Sequence, residues 1–229
     1  RRYIPNLWAF DDDWGKNDPM TKRPDAHYGQ SFGLGFYEYF LLCELLGAKP
    51  LPVLNIGTAC QFRSTEMVDS GSVEFEEYVQ DALDLIEFAN GPVDSKWGAL
   101  RAKMGHPEPF GMDFLSVGNE QWETQYLDLR YRYERFEAAI HAKYPEIRLL
   151  GTAGPFMGCS ITEDAWKYYR EKAKENPNFS YAVDEHYYVS PQWLYDHVAM
   201  YDDYTRDVAV FAGEYAAHTE ARENSMESA

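Results

Sequence analysis

Short apolar runs alternate with longer amphipathic stretches along most of this chain, and that alternation narrows its fold more than any other feature. The runs Leu51–Ile56, Asp113–Val117, Ile147–Leu150, Tyr181–Tyr187 and Val208–Ala212 are too short for helices and read as strands. Helical spacing fills the stretches around them. Phe36, Phe40 and Cys43 share one face of Gly33–Leu46, which Gly47 can cap. Phe75, Val79, Leu83 and Ile86 recur in Val73–Ala89, and Tyr133, Phe136 and Ile140 in Leu127–Lys143. Ser160-Ile161-Thr162-Glu163 is a capping-box pattern before Thr162–Lys174, and Ser190-Pro191 opens a helix through Tyr201. Residues 1–30 read as a long loop, and a polar loop follows Asn90-Gly91-Pro92. Parallel strands need a crossover, usually helical, so the pattern predicts an α/β fold with a parallel sheet and outer helices. The strands number about five, fewer than a closed (β/α)8 barrel requires.

Composition then limits function. With 45 % hydrophobic residues in 229, the chain can build a core. A formal net charge of −17 repels phosphate backbones and argues against nucleic acid as a partner. It is compatible with a neutral carbohydrate, and the 18 Tyr and 6 Trp suit rings that stack on sugars. Cys43, Cys60 and Cys159 form no CxxC pair and read as buried thiols. No apolar run reaches membrane-spanning length, and no signal peptide opens the chain. The compartment stays open, and a homo-oligomer stays compatible with the sequence.

Polar groups stand where the strands end: Asn55, Asn119-Glu120, His186 with Tyr188, and Glu214. Ligands of parallel α/β folds bind at the carboxyl ends of strands. Two carboxyls across such a cleft suit glycoside cleavage. One protonates the leaving oxygen while the other attacks the anomeric carbon, at a separation of ~5–5.5 Å for retention against ~6.5–9.5 Å for inversion. Glu120 is the expected acid/base and Glu214 the expected nucleophile. The charge of Glu214 is expected to keep Glu120 protonated until the covalent intermediate forms. Alternation along Tyr181–Tyr188 places Asp184, His186 and Tyr188 on one face and Glu185 and Tyr187 on the other.

The Gly118-Asn119-Glu120 and Phe211-Ala212-Gly213-Glu214-Tyr215 segments resemble the clan of barrel glycosidases with an Asn-Glu acid/base on strand four and a Glu nucleophile on strand seven. More narrowly, the chain is similar to the α-L-arabinofuranosidases of glycoside hydrolase family 51. The similarity lies in Gly33–Tyr39, Leu45–Val53, Trp97–Pro109, Gly118-Asn119-Glu120 and Glu185–Tyr188. The resemblance implies a partial (β/α)8 TIM barrel, approximately strands three to seven. It implies release of terminal α-L-arabinofuranosyl residues by double displacement, with no cofactor. Asn119 would bind the sugar 2-hydroxyl, and His186 and Tyr188 would shape the pocket. Asn55 sits at a matching strand end. Residues 1–229 are expected to form one catalytic barrel domain truncated at both ends. The Pro-Gly-Gly turn of the first strands, the eighth strand and the C-terminal β-sandwich are not found. Open sheet edges predict that this span alone is inactive or aggregates.

Other chemistries fit less well. The six histidines include no HxxxH or HExxH spacing, so no metal is expected, and Asp11-Asp12-Asp13 lacks the EF-hand pattern. GxSxG and P-loop motifs are missing. An endo-β-1,4-glucanase or xylanase of the same clan would share the carboxylate pair. A non-catalytic carbohydrate-binding barrel would keep the aromatics and need no such pair.

Overall fold

The computed structural model describes residues 34–58, 66–121, 123–154, 157 and 160–217. The expected opening loop, the acidic Asp11–Asp13 run, and Cys60 and Cys159 lie outside the described residues. The chain divides into two compact units, Arg1–Met112 and Asp113–Ala229.

In the first unit, helix α1 (Phe36–Leu46) starts where the Glu38 carboxylate accepts the Gly35 N–H at 2.8 Å and stops at Gly47, whose φ is 65°. Strand β1 is only Val53–Leu54, shorter than its apolar run. The shortening has a local cause. Asn55 Oδ1 accepts the N–H groups of Gly57 at 2.7 Å and Thr58 at 3.1 Å, folding the chain into a turn. Helix α2 (Val73–Asn90) is capped by Ser72 and buries Phe75, Val79, Ala82, Ile86 and Ala89. Asn90 then pairs with both backbone groups of Met112, each at 2.8 Å.

A further helix, α3 (Lys96–Lys103), replaces part of the expected polar loop. Ser95 Oγ accepts the Gly98 N–H at 3.1 Å, and Glu87 from α2 accepts that of Trp97 at 3.0 Å. Two of the orphan donors at the helix start are thereby satisfied. Arg101 on α3 is fully buried and donates to the carbonyls of Phe88, His106 and Pro107 at 2.8–3.0 Å. Those bonds offset the cost of burying its charge.

The second unit runs β2 (Phe114–Val117), α4 (Glu123–Lys143), β3 (Arg148–Thr152), α5 (Ser160–Glu175), β4 (Ala182–Val189), α6 (Pro191–Asp196) and β5 (Ala209–Ala217). Consecutive strands pair in parallel, each crossing over through the helix between them, as the alternation predicts. Leu115, Val117, Leu149, Leu150 and Val183 from the sheet, with Tyr133, Phe136 and Ile140 from α4, are buried. No described helix is long and apolar enough to cross a membrane.

Boundaries late in the second unit also differ from the sequence reading. Helix α6 stops at Asp196 instead of reaching Tyr201. There the His197 ring stacks on Trp193 and its Nδ1 donates to the Trp193 carbonyl oxygen at 2.7 Å. Strand β5 continues through Glu214 to Ala217, so this carboxylate lies inside the strand and not beyond its tip. A bulge permits the extension. Asp184 pairs with Phe211 and His186 with Glu214, so β5 spends one more residue than β4 between those two pairs. In an unbroken register Glu214 would align with Tyr187 and face away from His186. The extra residue turns Glu214 onto the face of Asp184 and His186.

Candidate active site

The site is built on one face of β4, with the turn that follows β2 and the interior of β5. Strand β2 ends in a tight turn, with Gly118 at φ 85° and Glu120 at φ 48°. Glycine adopts such a φ freely, but for Glu120 it costs on the order of 1 kcal/mol. The turn leaves Asn119 exposed and brings the Glu120 carboxyl to the β4 face.

There His186, with 1 % of its side chain exposed, is held between carboxylates. Its Nδ1 lies 2.7 Å from Glu120 Oε1 and 3.7 Å from Glu214 Oε2; its Nε2 lies 3.2 Å from Asp184 Oδ2. Tyr188, two residues along the same face, donates its hydroxyl to Glu214 Oε2 at 2.6 Å. One carboxylate oxygen each from Glu120 and Glu214, with an imidazole nitrogen of His186, lie within 4.8 Å of one another. Glu120, Glu214, His186 and Tyr188, all named from sequence, are thus brought together. Asn55 belongs to the first unit, and its side chain is engaged by its own turn, its amide donating to Thr58 O at 3.1 Å.

Charge at the site is set by His186. Burial opposes its protonation, but the hydrogen bonds to Asp184 and Glu120 and the charges of Asp184 and Glu214 outweigh burial and raise its pKa to about 10. The imidazole is therefore a cation at neutral pH. Tyr188 is pushed above the usual phenol range, first by burial and then by its bond to Glu214, so it stays a donor. Among the described residues, Glu120, His186 and Glu214 are the group close enough to share a cation. Carboxylates already engage both imidazole nitrogens, so a metal would have to break one of those bonds.

This arrangement predicts a pH dependence of stability. A histidine raised from about 6.5 when unfolded binds its proton more tightly in the native state. Its contribution is complete below about pH 6.5 and is lost as pH rises toward 10. Melting temperatures of the protein and of His186→Asn, compared at about pH 6 and about pH 9, are expected to separate more at the lower pH. Equal separation at both would contradict the charged imidazole.

One contributor was not assigned from sequence. Asp184 accepts the Gly213 N–H on Oδ1 at 2.8 Å while its other oxygen meets His186. Only the alternation of β4 hinted at it. On the opposite face the buried Glu185 accepts from Trp166, Tyr187 and Tyr201, and its pKa is raised by burial.

The chain matches the family model described as "Alpha-L-arabinofuranosidase 1 domain" over residues 3–206. It is 44 % identical over 205 residues to an extracellular exo-α-L-arabinofuranosidase of Streptomyces chartreusis, covering 88 % of this chain and 23 % of that protein. It is 38 % identical over 143 residues to α-L-arabinofuranosidase 2 of Arabidopsis thaliana, covering 60 % of this chain and 20 % of that protein. The arabinose-bound MgGH51 α-L-arabinofuranosidase superposes with a TM-score of 0.64 at 30 % identity, over 86 % of this chain and 29 % of that one. The chain therefore spans only about a quarter of the length of relatives such as these.

Proposed function

Because the chain belongs to the α-L-arabinofuranosidase 1 domain family, we propose that it carries the reacting carboxylates of a retaining exo-α-L-arabinofuranosidase. The supporting observation is the approach of Glu120 and Glu214 to within 4.8 Å of each other. That upper bound is compatible with the ~5–5.5 Å of retaining enzymes and below the ~6.5–9.5 Å that leaves room for an attacking water.

In this reading Glu214 attacks the anomeric carbon of a terminal arabinofuranosyl unit. Tyr188 holds the attacking carboxylate by donating to Oε2. Glu120 gives a proton to the departing oxygen, and the imidazole at 2.7 Å is the source from which it is supplied. Once the glycosyl-enzyme has formed, the charge of Glu214 is gone. Glu120 then takes a proton from water, which attacks the anomeric carbon and frees Glu214. Asn119, exposed beside Glu120, faces the sugar and binds its 2-hydroxyl. Asn55 sits at a strand end, where its own turn uses Oδ1 twice and one of its two amide hydrogens. Residues 1–229 are read as part of one catalytic (β/α)8 barrel acting on arabinose-containing polysaccharide.

A mechanism-based furanoside inhibitor tests this proposal. With the intact protein, the label is expected on Glu214 and nitrophenyl arabinofuranoside is expected to be hydrolysed in preference to glucan. No label and no turnover would favour a carbohydrate-binding barrel, and preference for glucan would favour an endo-acting relative.

A further inference from the structure

We propose that Asp184 is a positioning residue that sets both members of the carboxylate pair at once. The proposal rests on the roles given above to Glu120 and Glu214. One Asp184 oxygen holds the β5 bulge that turns Glu214 into the site, and the other holds the imidazole that faces Glu120.

The bulge needs support because its extra residue leaves ladder groups of β5 without their regular strand partner. Asp184 Oδ1 accepts the N–H of Gly213, the residue before Glu214, at 2.8 Å. The fit leaves no room for a side chain: a Cβ at Gly213 would stand 2.4 Å from Oδ1 and 2.8 Å from Oδ2. Glycine at 213 and aspartate at 184 are thus matched across the strand pair, 29 residues apart.

The second oxygen fixes the imidazole. Oδ2 lies 3.2 Å from His186 Nε2 and can only accept, so Nε2 carries hydrogen and Nδ1 is left to exchange a proton with Glu120. Among the described residues, Glu120 from the β2 turn, Tyr188 and Asp184 from β4, and Glu214 from β5 are the ionisable groups around this ring. Both Asp184 acceptors are therefore committed to donors. Asparagine has one acceptor oxygen. If that oxygen keeps the Gly213 bond, the amide N–H faces Nε2 and forces the neutral Nδ1–H tautomer. That tautomer can donate to an ionised Glu120 but cannot accept from a protonated one, and it has no second proton to pass on.

The test is Asp184→Asn in the intact protein. With an aryl arabinofuranoside of good leaving ability, little of kcat/KM is expected to be lost. With an alkyl arabinofuranoside, which needs the acid, a loss on the order of 100-fold is expected. The alkaline limb of the pH profile is expected to move down by about one unit or more, because a neighbouring negative charge is removed. Equal losses on both substrates with an unmoved limb would reduce Asp184 to a fold-holding residue and overturn the proposal. A further readout needs no variant. Nitrogen-15 NMR of the unmodified protein is expected to show His186 Nε2 protonated at neutral pH, and a neutral Nδ1–H ring would overturn the proposal even if Asp184→Asn failed to fold. Inhibitor labelling separates the two levels. Label on Glu214 with a wild-type-like Asp184→Asn removes only the role of Asp184, whereas no label and no turnover in the unmodified protein removes both.

Discussion

Glu214→Ala is expected to abolish turnover on every arabinofuranoside, whatever its leaving group. The reason lies in which bond the residue makes. A general acid can be bypassed when the departing oxygen is already stable as an anion, but an attacking atom cannot be bypassed when the product must retain configuration. Covalent catalysts stripped of their nucleophile lose roughly 10⁵-fold or more in kcat. The loss should be uncoupled from folding, since the Glu214 side chain is 40 % exposed and its named contacts are the Tyr188 hydroxyl and the His186 ring. A melting temperature only slightly lowered near neutral pH, combined with no measurable hydrolysis, is the expected pair of results. Glu214→Ala has a further use: an added small anion such as formate or azide fits the space of the carboxylate and can attack from the same side. Recovered turnover with azide should yield a glycosyl azide of inverted configuration, which product NMR identifies. Residual hydrolysis of more than about a hundredth of the wild-type rate, without added anion, would show that Glu214 is not the nucleophile.

The parts of this arrangement visible in the sequence are those written in single segments. Strand and helix alternation is a local period, so the parallel β2–β5 order and its crossover helices follow from it. Period-two alternation within β4 likewise places Asp184, His186 and Tyr188 on one face, as found. What escaped depends on pairs distant in sequence. The bulge in β5 is a property of its register against β4, and Phe211-Ala212-Gly213-Glu214 shows no local sign of it beyond the glycine. Strand β5 therefore read as ending before Glu214. Helix α3 was missed because part of its start is secured by Glu87, which belongs to the preceding helix.

Electrostatics shows the same division. Two facing carboxyls suggest that one keeps the other protonated. The structure adds a buried imidazole between them, 66 residues from Glu120 in sequence, with a further carboxylate behind it. In the proposed reaction the proton for the leaving group then comes through the hydrogen-bonded Glu120–His186 pair.

That linkage shapes the second large effect, expected of Glu120→Ala. In the proposed mechanism, removing the carboxyl deletes the group that hands a proton to the departing oxygen, while His186 keeps Asp184 and stays buried. Substrates with poor leaving groups, such as arabinofuranosyl-xylan, are expected to lose about 10²–10⁴-fold in kcat/KM, the usual span of general-acid assistance. Activated aryl arabinofuranosides are expected to retain most of their kcat/KM, because that constant reports formation of the glycosyl-enzyme, which then needs little acid help. Their kcat should fall, since the following attack by water has lost its base. The intermediate should therefore accumulate as a burst of released phenol, and azide, which needs no base, should restore kcat. A Glu120→Ala protein that lost kcat/KM equally on activated and unactivated substrates, without a burst, would remove Glu120 from the acid/base role while leaving the assignment of Glu214 to its own test.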